Sequence, residues 1–243
     1  MREIEGVICD MDGTIVESED LHLKAWNMAI ENHGCTPPSA DWSNDCIGLP
    51  DRICLDMVYK LFPRLADAGD ILEEKQLIFR EMARERGANL SHQGIRERLG
   101  RLRDAGVKLA VATNSEMPNT RAVLQAAGLT EFFPVIITSD MVGKGKPHPD
   151  IYLSAAYGLG LPPSRCAAIE DSVAGLESAR AAGCAVLGVT NTWPAEKLKP
   201  VDLVFDSTHA ALDWALSNRA VLGCAPSNGA TLDRVLSNKL EHA

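Results

Sequence analysis

Two aspartates one residue apart, Asp10 and Asp12, are the residues of this sequence best suited to chemistry. They follow an apolar run, 6–9, that predicts a buried strand, and a Gly-Thr turn comes next. Carboxylates at the carboxyl end of a strand lie where open α/β sheets bind ligands. Because two close carboxylates repel each other and lose solvation on burial, the pair indicates a hard cation such as Mg²⁺ and metal-assisted phosphoryl chemistry. The alternative is a polar turn whose aspartates cap a helix.

Three further polar groups follow predicted strands or lie in a stiff loop between them. They are Thr113-Asn114-Ser115, Lys146 between Gly145 and Pro147, and Glu170-Asp171. Hydroxyls, an amide and backbone N–H groups could hold a phosphate at 113–115, although these residue types are also common helix N-caps. Four carboxylates and one lysine at one sheet edge carry a net charge of about −3 and are self-repelling, whereas a bound Mg²⁺ offsets most of this charge and could hold a phosphate dianion beside it. The convergence therefore favours a catalytic site.

The elements that position these residues follow from the hydrophobic pattern. From residue 94 onward strands alternate with helices, which predicts an α/β fold with a doubly wound parallel sheet. The predicted strands are 6–9, 107–113, 135–138, 166–169, 185–189 and 202–205, and the helices between and after them are 94–105, 117–127, 149–158, 172–182 and 210–222.

Between the first strand and residue 94 the pattern is helical only. Residues 20–33, 51–62 and 71–86 each predict a helix, so a helical cap is inserted after the aspartates. The expected organisation is a core of residues 1–16 and 93–222, a cap of residues 17–92 and a tail, 223–243. Two linkers, near 14–18 and 89–93, would join cap and core, and closure of the cap would exclude water.

Composition excludes several classes of protein. The 243 residues are 46% hydrophobic and carry a net charge of −9 with no basic stripe, which argues against a nucleic-acid or anionic-membrane surface. No apolar run approaches the roughly 18 residues of a membrane span, and the first residues do not resemble a signal peptide. The seven cysteines are scattered without CxxC spacing. We expect a reduced, cytoplasmic protein without a zinc site, a monomer by default.

Taken together, the motifs resemble those of the haloacid dehalogenase superfamily of phosphoryl-transfer enzymes, in its β-phosphoglucomutase-like branch with a helical cap. The matching pieces are 10–14, 113–115, 146–150 and 170–175, in the right order across most of residues 4–190. The second aspartate favours phosphate esters over haloacids as substrates, since displacement of a halide needs no acid.

The resemblance implies roles for the motif residues. Asp10 would be the nucleophile that forms an aspartyl-phosphate, and Asp12 the general acid/base, whose backbone carbonyl also helps to hold Mg²⁺. Thr113 and Lys146 would bind the phosphoryl oxygens, with Ser115 close by. Asp171 and Glu170 would be metal ligands.

Cap residues are expected to bind the rest of the substrate. His22 resembles a histidine that lies near the acid/base aspartate, although it could equally be a helix-packing residue. Residues 48–52 resemble a substrate-specificity loop in which Arg52 could reach a second anionic group. Lys75 has the spacing of a cap lysine of the mutases, but a lysine on a cap helix is more often solvated.

Three features depart from the mutases. Glu116 stands where they tend to have a lysine, the cap loop before Arg52 is a residue longer, and 91–94 replaces a proline-glycine entry to the core. The first two favour hydrolysis. The sequence therefore predicts a Mg²⁺-dependent phosphatase of a small phosphorylated metabolite, a sugar phosphate above all. The alternatives are a β-phosphoglucomutase-type mutase and, from another class, a catalytically silent phosphometabolite-binding protein. The role of Trp193 stays open.

Overall fold

A six-stranded parallel sheet forms the centre of the computed structural model, which describes residues 3–38, 46, 49–67, 69–199 and 201–220. The strands are β1 (Gly6–Cys9), β2 (Lys108–Ala112), β3 (Val135–Ile137), β4 (Cys166–Glu170), β5 (Ala185–Val189) and β6 (Leu203–Phe205). Their order is β3-β2-β1-β4-β5-β6, so the predicted doubly wound sheet is confirmed. The predicted tail and Gly48 of the predicted specificity loop lie outside the described residues.

Eight α-helices connect and cover these strands in the described part of the chain. They are α1 (Glu19–Asn32), α2 (Asp51–Leu61), α3 (Ile71–Arg86), α4 (Ile95–Asp104), α5 (Met117–Ala126), α6 (Asp150–Gly158), α7 (Val173–Ala182) and α8 (Thr208–Ser217). Most predicted bounds differ from these by one or two residues, because helix ends are set by local capping that periodicity does not reveal.

Strand β1 lies in the middle of the sheet because all four of its residues are apolar or small and buried. Val7 and Cys9 face the helices α4 and α8, whereas Ile8 faces α6 and α7. The strand order reverses at β1, which pairs with β2 on one side and β4 on the other. The residues after these three strands therefore meet at one edge, at the topological switch point where such sheets bind ligands.

The helices α1, α2 and α3 share an apolar cluster of their own, around Trp26, Ile30, Val58 and Ile71. The two chain segments that join these helices to the sheet lie side by side. Val16 pairs with Ser91, and the Glu17 N–H donates to the Leu90 carbonyl over 2.7 Å. Any movement of the cap relative to the sheet would therefore have to bend the backbone at these two adjacent linkers.

The last helix differs from its prediction of 210–222. Ser207 caps α8 by accepting a hydrogen bond from the Ala210 N–H, which starts the helix earlier. After Ser217 the chain turns back to the sheet, where the Ala220 N–H donates to the Ile4 carbonyl over 2.8 Å. The predicted helix was too long because the amphipathic pattern of the sequence continues past Ser217, whereas the backbone of the next residues pairs with the segment around Ile4. Across the described residues, no helix is both long and apolar enough to cross a membrane.

Candidate active site

A cavity of about 570 Å³ lies between the carboxyl edge of the sheet and the cap helices. It brings together most of the residues that the sequence singled out. The lining includes Asp10, Asp12, His22, Arg52, Thr113, Asn114, Ser115, Lys146 and Asp171. Glu170 lies directly behind it, fully buried. Lys75, like Glu170, does not line the cavity.

Lys146 connects two of the carboxylates. Its Nζ lies 2.5 Å from Asp10 Oδ1 and 2.6 Å from Glu170 Oε1, and all three side chains are almost completely buried. Burial alone would lower the pKa of Lys146, but the charges of Asp10 and Glu170 raise it above its ordinary value. The ammonium therefore stays charged at the base of the cavity.

The loop that carries Lys146 is held by Asn114. The Asn114 Oδ1 accepts a hydrogen bond from the Lys146 N–H over 2.9 Å, and its Nδ2 donates to the Lys146 carbonyl over 3.4 Å. We expected Asn114 to help bind phosphate, but in this structure its amide positions the lysine backbone. A methyl group at Gly145 would approach the same amide oxygen to 2.6 Å, so glycine is needed beside it.

Tyr152 at the start of α6 is a functional candidate that sequence reasoning missed. Its hydroxyl donates to Glu170 Oε1 over 2.6 Å, and its ring lies 5.5 Å from Lys146 Nζ. Glu170 is further held by the Ser172 hydroxyl, which donates to Oε2 over 3.1 Å. Tyrosine in the apolar pattern of α6 looks like an ordinary core residue, and no motif signalled that its hydroxyl would meet a buried carboxylate.

Asp12 accepts several hydrogen bonds at the mouth of the site. Ser18 Oγ donates to Oδ1 over 2.5 Å and Ser115 Oγ to Oδ2 over 2.8 Å, while His22 Nε2 lies 3.5 Å from Oδ1. Thr113 Oγ1 lies at the limit of hydrogen bonding, 3.5 Å from Oδ2. Burial raises the pKa of Asp12, but His22 and the hydroxyls outweigh it and lower the pKa to about 2. The Asp12 carboxyl is therefore ionised at neutral pH.

Asp171 is held in the opposite wall by two threonine hydroxyls. Thr14 Oγ1 donates to Oδ1 over 3.3 Å, and Thr192 Oγ1 donates to Oδ2. Gly13 has a φ of +76°, and any side chain there would collide with the Asp171 carboxylate. The turn after Asp12 thus needs glycine both for its backbone conformation and for the close approach of β4.

One oxygen each from Asp10, Glu170 and Asp171 lies within 4.8 Å of the others. With Lys146 these three carboxylates have a charge of −2, which one divalent cation would neutralise, and an all-oxygen donor set suits a hard cation. The Asp12 carboxylate is engaged by Ser115 and His22, so its backbone carbonyl is the atom it can offer. The residues therefore fit the metal ion that the sequence implied.

The same crowding shifts the proton affinity of the acidic residues. Burial raises the pKa of Asp10 well above its ordinary value, and Glu170 and Asp171 add to the rise although Lys146 opposes it. Burial, with the charge of Glu170, raises the pKa of Asp171 to about 8. Without a cation, the Asp171 carboxyl therefore binds a proton far more readily than an exposed aspartate does.

Lys75 is fully buried in the cap rather than solvated or exposed to the cavity. Its Nζ lies 2.5 Å from Asp51 Oδ1 and 2.9 Å from His22 Nδ1. His22 in turn stacks on Phe79 at 4.0 Å between ring centroids. The geometry supports a positioning role for Lys75, through His22 to Asp12, in place of the direct substrate contact that we expected.

Two other cap and loop residues have clear positions. Arg52 is exposed, lines the cavity, and has no hydrogen bond or ion pair with any residue in the described ranges. Trp193 does not line the cavity. Its ring packs beside the cluster under α6 and α7, and Lys197 Nζ lies 4.2 Å from its centroid. Trp193 is therefore a packing residue.

Fold and site together define a family of enzymes. Residues 4–183 match the model of the haloacid dehalogenase-like hydrolases, and the chain belongs to this family. Metal-dependent chemistry is typical of the family, and the acidic cluster described above is consistent with it. The chain is thus an enzyme with the fold and site of a phosphoric monoester hydrolase.

Within the family, phosphatases and phosphomutases of sugars are similar to this chain. Hexitol phosphatase A of Escherichia coli is 32% identical over 203 residues, which cover 84% of this chain and 91% of that protein. A crystal structure of β-phosphoglucomutase from Clostridium difficile has a TM-score of 0.76 at 26% identity and covers 88% and 97%. The D10N mutant of CbbY from Rhodobacter sphaeroides, in complex with xylulose-(1,5)bisphosphate, has a TM-score of 0.70 at 29% identity and covers 84% and 95%.

Proposed function

We propose that this protein is a Mg²⁺-dependent phosphatase that hydrolyses a small sugar phosphate through an aspartyl-phosphate intermediate. The observation that carries the proposal is the arrangement at the base of the cavity. Asp10 is paired with the buried Lys146 over 2.5 Å, and two residues further on Asp12 is held by Ser115 and His22. A nucleophile, a cation for the phosphoryl charge and an acid/base thus face one space.

In the first step an Asp10 carboxylate oxygen attacks the phosphorus atom, and the bond from phosphorus to the sugar oxygen breaks. Lys146 and the Thr113 hydroxyl bind the phosphoryl oxygens, with Ser115 beside them. A Mg²⁺ ion bound by Asp10, Glu170, Asp171 and the Asp12 carbonyl would neutralise carboxylate charge and polarise the phosphoryl group.

Asp12 acts as the proton donor in the first step and as the proton acceptor in the second. Its pKa is low without substrate, and the charge of a bound phosphate raises that pKa so that Asp12 can carry the proton for the leaving oxygen. After transfer the ionised Asp12 takes a proton from water, whose oxygen attacks the phosphorus of the aspartyl-phosphate and releases phosphate and free Asp10. His22, held by Lys75, keeps the Asp12 carboxylate in place.

The runner-up is a β-phosphoglucomutase-type mutase. Two observations favour it: the likeness to the solved β-phosphoglucomutase, and the exposed Arg52 in the cavity, which could bind a second phosphate. A mutase would return the phosphoryl group to a sugar hydroxyl and not to water. Glu116, whose carboxylate also lines the cavity, favours hydrolysis over retention of a bisphosphate.

The proposal is tested by release of inorganic phosphate from a panel of phosphorylated sugars, with Mg²⁺ and with EDTA, for the wild type and Asp10→Asn. We expect release that needs Mg²⁺ and is lost in the variant. Conversion of β-glucose 1-phosphate to glucose 6-phosphate without phosphate release would assign the mutase. Tight binding of a sugar phosphate by wild type with neither reaction would assign the silent binding protein.

A further inference from the structure

Glu116, Asp140 and Arg52 are charged residues that line the cavity outside the Asp10, Glu170 and Asp171 cluster, and they are here called the distal wall. Glu116 stands at the N-cap of α5, Asp140 follows β3, and Arg52 belongs to the cap helix α2. A phosphate bound to Asp10 and Lys146 therefore leaves the rest of the substrate facing two carboxylates and one guanidinium.

The amino terminus of α5 would be a natural place for a second phosphate, but its first two positions offer no free N–H. The Met117 N–H donates to Asp140 Oδ1 over 3.1 Å, and Pro118 at the next position has no N–H. The Glu116 carboxylate adds a second negative charge at the same end. Helix termini bind anions through free N–H groups and a positive dipole end, and here the first N–H and the dipole already face carboxylates of the chain itself.

No cation compensates these two carboxylates within the described residues. The partner of Glu116 is the neutral Gln76 amide, at 3.2 Å from Oε2, and Asp140 Oδ1 accepts from the Thr138 hydroxyl over 2.6 Å. By contrast, Asp20 and Asp51, which also line the cavity, are paired with Arg86 and Lys75. The two uncompensated charges thus lie together on the distal wall.

The cations of the cavity offset this charge only in part. Lys146 is already bound to Asp10 and Glu170, which leaves Arg52 as the other lysine or arginine on the described lining. Two carboxylates and one guanidinium carry a net charge of −1. A second phosphate dianion would face net repulsion there, whereas sugar hydroxyls could donate to Glu116 and Asp140 and accept from Arg52.

We propose that the distal wall selects substrates with a single phosphate and an uncharged, polyhydroxylated end, and that Glu116 is the residue that determines this specificity. The inference rests on the proposed function, since it takes the phosphate to lie at Asp10. It narrows the substrate class to monophosphates and makes Glu116 an acceptor for hydroxyl groups and a barrier to a second phosphate.

The test compares ligands that differ by one phosphate: glucose 6-phosphate with glucose 1,6-bisphosphate, and xylulose 5-phosphate with xylulose 1,5-bisphosphate. Dissociation constants are measured with Mg²⁺ present in the inactive Asp10→Asn protein, with and without Glu116→Lys or Glu116→Gln. With Glu116 intact, we expect the bisphosphate to bind at least tenfold more weakly than its monophosphate. Glu116→Lys should shift this ratio at least tenfold toward the bisphosphate, and Glu116→Gln should shift it by a smaller factor in the same direction.

Two control variants separate the effect of the Glu116 charge from the effect of its hydrogen bond to the cap helix and from that of a charge change elsewhere on the protein. Gln76→Ala removes the hydrogen bond to Glu116 but leaves the charge, so the ratio should not change. Glu177→Lys makes the same charge change on the exposed face of α7, away from the cavity, and should also leave the ratio unchanged. A shift with either control equal to that of Glu116→Lys would overturn the assignment of Glu116.

The two proposals fail in different ways. Equal or tighter binding of the bisphosphates with Glu116 intact would overturn the inference, while Mg²⁺-dependent hydrolysis of monophosphates by the unmodified enzyme would leave the proposed function standing. If no sugar monophosphate is either bound or hydrolysed, the proposed function is wrong and the inference falls with it.

Discussion

Lys75 Nζ lies 2.9 Å from His22 Nδ1 inside the cap, where the Lys75 side chain is fully shielded from solvent. A buried ammonium is costly unless it is paired, and Asp51 supplies the opposite charge at 2.5 Å. The other nitrogen of His22 lies 3.5 Å from Asp12. A chain of charged and polar groups therefore connects the cap helices to the carboxylate that we propose as acid/base.

Lys75→Met tests this connection. Loss of the ammonium leaves the partly buried Asp51 without its cation, so the free energy of unfolding should fall, by up to about 3 kcal/mol. His22 also loses its partner, and kcat/KM should fall at least tenfold. Adding Asp51→Asn should restore most of the thermal stability but not kcat/KM, because the support of His22 is still missing. Recovery of both would show that Lys75 acts on stability alone.

Lys146 and Lys144 form a matched pair two residues apart in one loop. Lys146 is buried against Asp10 and Glu170, whereas Lys144 is exposed, does not line the cavity and is part of no ion pair within the ranges described. Lys146→Met should lower kcat by about 10²–10³-fold, the range seen when one charge-stabilising group is removed. Lys144→Met should retain near wild-type kcat. Similar losses in steady-state assays of both variants would contradict the assignment.

Tyr152 and Tyr157 offer a second matched pair, on α6. The Tyr152 hydroxyl donates to Glu170 over 2.6 Å, whereas Tyr157 is 88% exposed. Tyr152→Phe removes a hydrogen bond to a buried charge, so it should cost about 1.5–3 kcal/mol in the free energy of unfolding. It should also lower kcat, since Glu170 orients Lys146. Tyr157→Phe should change neither quantity in denaturant titrations and kinetic assays.

Asp171 should make the metal-free protein less stable as the pH rises, which is the opposite of the usual effect of a carboxylate. Its pKa is raised from the ordinary value of 3.8 to about 8 in the folded state, so the folded protein binds the proton more tightly than the unfolded chain. Stability therefore falls as pH rises from about 4 to about 8 and changes little from this group beyond that. Thermal unfolding in EDTA should give a lower Tm at pH 8 than at pH 5.5.

Asp171→Asn is the variant that isolates this effect. In EDTA at pH 8 it should raise Tm by several degrees, since about 1 kcal/mol corresponds to 2–4 °C for a chain of this size. With Mg²⁺ present the order should reverse, because the wild type gains stability from the bound ion and the variant loses a ligand. A variant less stable than wild type in both conditions would contradict the charge crowding.

The sequence predicted most reliably those functional residues that lie directly at the end of a strand. Asp10, Thr113 and Asp171 lie directly after buried parallel strands, and strand order alone brings such residues to one edge. The apolar runs of β1 and β4 and the stop of α7 at Gly183 were readable for the same reason: local patterns specify local structure.

Residues that act through tertiary contacts could not be predicted. The roles of Asn114 and Tyr152 depend on which side chains meet after folding, and neither has a distinctive spacing. Lys75 was expected at the substrate and is instead buried, since the burial of a charged residue on an amphipathic helix depends on the partner that another helix provides. The end of α8 was misplaced because backbone pairing with Ile4 competes with helix propensity.

The proposed mechanism depends above all on a covalent intermediate at Asp10. To detect it, the enzyme is mixed with Mg²⁺ and ³²P-labelled nitrophenyl phosphate and quenched rapidly with acid. The nitrophenolate leaving group needs no protonation, so the first step does not require Asp12. We expect protein-bound label that hydroxylamine removes, retained for longer in Asp12→Asn, where water is not activated, and absent in Asp10→Asn. Label that persists in Asp10→Asn, or phosphate release by the wild type with no label at any quench time, would contradict the account.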